Sequence, residues 1–171
     1  PLFNMVNNLC IGTAQFGFDY GITNRTGKVK EKDVFRILDK ANNAKIKFLD
    51  TAQAYLDAEY VLGKNMPKNS DFKIITKLNS DVFHSSDRYL LKNLEASLTS
   101  SLKKLKVKSI DSLLIHNVDF LKKNNYNLIF DWLESIKERK LVNRIGLSIY
   151  CPEDLDDIEI DKFNLIQIPF S

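Results

Sequence analysis

The sequence predicts an α/β protein built on a parallel sheet, and three observations carry that prediction. Short continuous apolar runs recur along the chain, of the kind made by strands buried on both faces. Between these runs lie stretches whose apolar residues follow helical spacing. Four polar residues, Asp50, Tyr55, Lys77 and His116, stand at or just past the ends of successive runs, where parallel α/β folds collect their chemistry. Strand alternating with helix means βαβ units, in a sheet that is either closed or open. Periodicity does not choose between the two. No GxGxxG follows the first run, which weakens a dinucleotide-binding open sheet.

Leu9 to Gly12 reads as the first strand, running into a glycine-bounded loop, Thr13 to Gly17. Asp19 to Lys28 is polar, holds Gly21 and Gly27, and reads as a second loop. Lys32 to Lys45 is a helix with Val34, Ile37, Leu38 and Ala41 on one face. Ile46 to Leu49 is the second strand and stops at Asp50; Thr51, Ala52 and Ala54 then let the chain turn tightly before Tyr55. Ala58 to Lys64 reads as a short helix ending at Gly63, and Phe72 to Lys77 as the third strand. Ser86-Asp87 is a plausible cap for a long helix to Leu105, with Leu90, Leu91, Leu94, Leu98, Leu102 and Leu105 as its apolar stripe. Ile110 to His116 is the fourth strand, and Tyr126 to Arg139 a helix carrying Ile129, Trp132, Leu133 and Ile136. Arg144 to Ser148 is the fifth strand. Pro152 fits the first turn of a short helix, Glu153 to Asp157, and Leu165 to Pro169 is the sixth strand.

The 171 residues suffice for one domain, taken as 1–171, and 44% hydrophobic with 27% charged residues is ordinary for a globular protein. The net charge of +3 is small. Its lysine clusters, Lys103-Lys104 and Lys122-Lys123, read as solvated helix faces, without the aromatic interleaving of a nucleic-acid patch. No apolar run approaches 18 residues, so no membrane helix is expected. The opening Pro1-Leu2-Phe3-Asn4-Met5 does not read as a signal peptide, and a cytoplasmic location is expected. Cys10 and Cys151 lie in no CxxC or His-rich setting; metal binding is not expected, and reduced thiols are the simpler reading.

Taken singly, each of the four polar residues has an ordinary structural role: a turn cap, a packing tyrosine, a solvated lysine, a core histidine. Together they describe a proton donor. A tyrosine is a weak acid near pH 7, and a neighbouring ammonium lowers its pKa. Lys77 would supply that ammonium, Asp50 would hold Lys77 charged, and His116 would orient the substrate oxygen or the phenol.

The order of motifs resembles the aldo-keto reductase family. The matching residues are Gly12-Thr13, Asp50-Thr51-Ala52 with Tyr55, Ala58-Glu59 with Leu62-Gly63, Thr76-Lys77, Ile115-His116-Asn117 and Gly146-Leu147-Ser148. The resemblance implies a (β/α)8 TIM-barrel fold, of which this chain carries about the first six β/α units, an incomplete barrel. It implies NADP(H) as cofactor, with NAD(H) as the alternative, and a small carbonyl compound as substrate. It assigns a catalytic tetrad to Asp50, Tyr55, Lys77 and His116. Gly12, Thr13, Asp50, Ser148 and Gln167 then fall to the cofactor. The stretch from Gly12-Thr13-Ala14-Gln15-Phe16-Gly17 to Tyr20-Gly21-Ile22 is similar to a bacterial branch found among sugar and surface-polysaccharide genes.

The sequence departs from the family pattern in three places. Ile149 stands where the family carries an asparagine that contacts the carboxamide. The group that stacks on the nicotinamide, from strand seven, and the basic loop for the 2′-phosphate, after strand eight, have no counterpart in these residues. Open edges at strands one and six are therefore expected, and with them pairing to another chain, rearrangement, or membership of a longer product. Two other functional classes stay in play. One is a non-catalytic fragment or cofactor-sensing interaction subunit. The other is a Schiff-base lyase using Lys77.

Overall fold

The computed structural model describes residues 9–84, 87–122 and 126–169. Ser86 of the expected cap, Lys123, and the opening Pro1 to Met5 lie outside them. Six strands form one sheet: β1 Cys10–Gly12, β2 Phe48–Asp50, β3 Lys73–Leu78, β4 Ile110–Ile115, β5 Val142–Ser148 and β6 Leu165–Gln167. Each pairs in parallel with its neighbour in sequence, in the order β1-β2-β3-β4-β5-β6. The helices that return the chain are α1 Ala14–Gly17, α2 Glu31–Asn43, α3 Ala58–Asn65, α4 Asp87–Leu105 and α5 Tyr126–Glu138.

The sheet curls. Cys10, Ile75, Leu114 and Leu165, from β1, β3, β4 and β6, line a common cavity of about 300 Å³ on its inner side. The amide of Gln167 at the end of β6 reaches Asp50 Oδ1 on β2, 3.1 Å away. This is six units of a (β/α) barrel, with β1 and β6 as its two unpaired edges among the described residues.

The core lies between the outer face of the sheet and the helices. Val34 and Leu38 of α2, Leu90, Leu94 and Leu98 of α4, and Ile129, Leu133 and Ile136 of α5 are buried against Leu49, Ile74, Leu113, Ile115 and Ile145. Leu91, expected in the α4 stripe, is 41% exposed instead. It follows Leu90 directly and so points about 100° away from the buried row. Helices α2, α4 and α5 end in one way. Lys45, Lys106 and Lys140 take positive φ. The next residue then donates back five positions, as Ile46 N to Ala41 O, Val107 N to Leu102 O and Leu141 N to Ile136 O. After α2 and α5 the apolar residue at that turn, Ile46 or Leu141, leads directly toward the following strand.

Three local readings need correction. Thr13 to Gly17, expected as a loop, contains the four-residue helix α1. Gly63 does not end α3, which continues to Asn65; a Cβ there would run into the backbone oxygen of Lys104, so the glycine serves the close crossing of α3 and α4. The turn after Pro152 is a 3-10 turn, Pro152–Leu155, and not an α-helix.

Candidate active site

The C-terminal ends of the strands converge on one mouth, and the sequence-predicted residues meet there. Gly12, Asp50, Ser148 and Gln167 are the last residues of β1, β2, β5 and β6. Lys77 lies one residue inside the end of β3, and His116 follows β4 directly. Alternation along β3 turns Thr76 to the helices and Lys77 to the interior.

Lys77 is 2% exposed and Asp50 9%, a carboxylate and an ammonium both withdrawn from water. Lys77 Nζ donates to Asp50 Oδ1 at 2.7 Å and to Thr51 O at 3.0 Å. Gln167 Nε2 adds a donor to the same carboxylate oxygen. The pair is viable because each charge has its partner and further hydrogen bonds. Thr13 fixes the backbone beneath it, with N and Oγ1 each donating to Asp50 O at 2.9 Å. At Gly12 a Cβ would project into open space, so packing among the described residues does not demand glycine there.

Tyr55 sits half-buried above the pair. Its ring centroid is 5.3 Å from Lys77 Nζ, and the His116 ring stands edge-on to it at 6.1 Å and 85°. Phe18 and Tyr20 complete a wall, 6.2 and 6.3 Å from the Tyr55 ring. The long polar loop holds that wall in place through Asn24. Its side-chain amide donates to Tyr20 O and Gly27 O, and its oxygen accepts from the Thr26 and Gly27 amides. Beyond His116 lies a cavity of about 350 Å³ lined by Asn79, Ser80, Asn117, Ser148 and Tyr150 among others.

The tyrosine's acidity runs opposite to the expectation that Lys77 would lower it. Burial pushes the Tyr55 phenol up to about 12, and the negative charge of Asp50 adds to the rise. The ammonium is already neutralised by Asp50 and meets the phenol through its ring face. Tyr55 is therefore a fully protonated acid at neutral pH. Burial, then the charge of Lys77, hold His116 below the ordinary imidazole value, so it is a neutral hydrogen-bonding group at pH 7. Cys10 and Cys151 are both free.

Ile149 is buried and holds its strand end by donating from its amide to Gln167 O at 2.9 Å. Sequence reasoning missed the polar residues behind the mouth. Gln53, Ser97 and Ser101 carry no motif of their own, and Glu59 and Thr76 stood out only as members of matched motifs. Asn79 follows Lys77 by two positions, and that placement past a strand end was the available signal.

The sequence model of the Aldo/keto reductase family matches residues 8–171, and the chain belongs to that family. No curated protein sequence matches it. Among solved structures, a Pseudomonas aeruginosa protein assigned to the aldo-keto reductases superposes with a TM-score of 0.74 at 22% identity, covering 93% of this chain and 61% of that one. An aldo/keto reductase from Brucella melitensis gives 0.65 at 21%, covering 94% and 57%. The glycerol dehydrogenase of Gluconobacter oxydans gives 0.66 at 22%, covering 94% and 50%. The chain thus spans between half and about three-fifths of the length of these relatives. At such identities the likeness speaks for the fold. Among the described residues no group of three or more His, Cys, Asp or Glu could hold a metal ion, and no helix is long and apolar enough to cross a membrane.

Proposed function

We propose that the protein is an oxidoreductase that reduces a small aldehyde or ketone to an alcohol, with Tyr55 as proton donor. The observation that carries this reading is the placement of the Tyr55 phenol at the barrel mouth. The phenol lies over a buried Asp50–Lys77 pair and beside a neutral histidine. His116 would donate to the carbonyl oxygen and aim it at the Tyr55 hydroxyl. The proton on Tyr55 Oη then passes to that oxygen as negative charge develops on it. Asp50 and Thr51 O hold Lys77 beneath the Tyr55 ring, which keeps the phenol in place for that transfer.

The second substrate of this reading is a nicotinamide, NADP(H) or NAD(H), which supplies the hydride. Gln167 Oε1 is buried without a donor among the described residues, while its Nε2 is anchored on Asp50. An amide oxygen so presented fits the N–H of a carboxamide, and the Ser148 hydroxyl at the neighbouring strand end can join it. Open space in front of Gly12, with Thr13 beside it, leaves room for the rest of the cofactor. A cytoplasmic location and association of two copies through the free edges of β1 and β6 belong to the same proposal. A monodisperse monomer in sedimentation would remove the second.

The test is Tyr55→Phe. Reduction of carbonyl substrates should fall by about three orders of magnitude, the scale of a lost positioned acid, with nicotinamide binding within twofold of the parent. Retained turnover would refute the role. The lyase reading has less support, because Lys77 is ion-paired and not a free amine.

A further inference from the structure

We infer that Ser101, with Gln53 and Glu59, is a positioning clamp that sets Tyr55 over Lys77. Ser101 lies on α4, fully buried, 42 residues after Glu59 and 48 after Gln53 in sequence. Its hydroxyl accepts from Gln53 Nε2 at 2.8 Å and donates to Glu59 Oε2 at 3.1 Å. Gln53 precedes Tyr55 by two residues and Glu59 follows it by four, so one hydroxyl closes both ends of the segment that carries the phenol.

The same groups bind the strand that carries the lysine. Thr76, the residue before Lys77, donates to Glu59 Oε1 at 2.7 Å. Gln53 N donates to Lys77 O at 3.2 Å, and Gln53 Oε1 accepts from the Asn79 amide at 2.8 Å and from Ser97 Oγ at 2.7 Å. Glu59 is 1% exposed and takes its donors from two different elements. Such a network is either complete or costly, and this one is complete at every contact named.

Between the two anchors the segment is held by two turn hydrogen bonds, Tyr55 N to Ala52 O and Ala58 N to Tyr55 O, both 3.0 Å, and by the exposed Lys28–Asp57 ion pair. Ala54, Leu56 and Asp57 are exposed, Leu56 at 66%, and Leu56 has φ of 50°, an unfavourable conformation for a branched side chain. A residue in that region persists only when its surroundings determine it. Beside the clamp lies a cavity of about 220 Å³ lined by Gln53, Asn79, Ser97 and Ser101 among others. Loss of one hydroxyl therefore gives Gln53 somewhere to go, and the segment loosens while the fold remains.

The role of Tyr55 as acid rests on the reading above; the position of Tyr55 does not, and the experiment separates them. Tyrosine is labelled with ¹³C at Cζ, which gives six resonances for the six tyrosines, and Tyr55 is assigned by its loss in Tyr55→Phe. In the parent its resonance is single and titrates above the ordinary tyrosine value. In Ser101→Ala it should broaden or split and titrate nearer pH 10, with the other five resonances and thermal unfolding little changed. Gln53→Met, which keeps the volume and removes all four hydrogen bonds of the side-chain amide, should do the same and serves if Ser101→Ala fails to fold. In carbonyl reduction either variant should lose about tenfold in kcat with KM for the cofactor within twofold. An unchanged Tyr55 resonance in a folded variant overturns the clamp. If the resonance shifts as stated in a protein that reduces no carbonyl compound, the clamp stands and the reductase reading fails.

Discussion

Lys77→Met leaves Asp50 with a buried negative charge and no cation. The carboxylate is 9% exposed and the ammonium it loses is 2.7 Å away. Removing one partner of a buried pair costs ~3–5 kcal/mol, because the remaining charge is uncompensated. Asp50 keeps the Gln167 amide as a donor and lies at a mouth open to water, which puts the expected loss at the lower end, about 3 kcal/mol. In a chain of this size that lowers the melting temperature by roughly 6–12 °C. The assay is urea unfolding of the parent, Lys77→Met, Asp50→Asn and the double variant. The double variant should recover most of the loss, since it removes the orphaned charge, giving a coupling of about 2 kcal/mol. A loss under about 1 kcal/mol in Lys77→Met, or additive single effects, would refute the buried-pair account.

Gly17→Ala drives a Cβ into the backbone oxygen of Tyr55, well inside contact distance. It should cost ~1–3 kcal/mol in denaturant unfolding and, by displacing the Tyr55 backbone, depress carbonyl reduction about a hundredfold. The raised pKa of Tyr55 means that the folded protein holds this proton more tightly than the unfolded chain does. Its contribution to stability is complete below pH 10 and is lost as pH rises toward about 12; Tyr55→Phe should flatten that part of a stability–pH curve. His116 has a lowered pKa, so the unfolded state takes up protons first and stability falls as pH drops below about 6.5. His116→Asn should remove much of that fall, and the imidazole resonances of His116 should titrate below the free value.

Most of this arrangement is legible in the residues. A run such as Ile46 to Leu49 that stops at a carboxylate has few readings other than a buried strand ending at a mouth. Trp132, Leu133 and Ile136 declare the face that α5 buries. The four polar residues fall at successive strand ends because a parallel sheet repeats the same geometry at each unit. What sequence could not supply was direction and distance. Helix α1 spans only four residues, too few for a periodic signal, and Gly17 reads as loop until its contact with Tyr55 is seen. The acidity of Tyr55 depends on which group faces the phenol, and Lys77 is spent on Asp50. Ser101 falls on the buried row of α4 by its spacing, three residues after Leu98 and four before Leu105; what the sequence does not show is the pair of partners it meets there, Gln53 and Glu59.

Deuteride transfer tests the central claim most directly. The protein is incubated with nicotinamide cofactor deuterated at C4 and a panel of small aldehydes and ketones, and the products are analysed by mass spectrometry and proton NMR. The account predicts an alcohol with one deuterium on the carbinol carbon, formed by the parent and not by Tyr55→Phe. No deuterated alcohol from any carbonyl compound, with borohydride instead trapping a substrate adduct on Lys77, would contradict it.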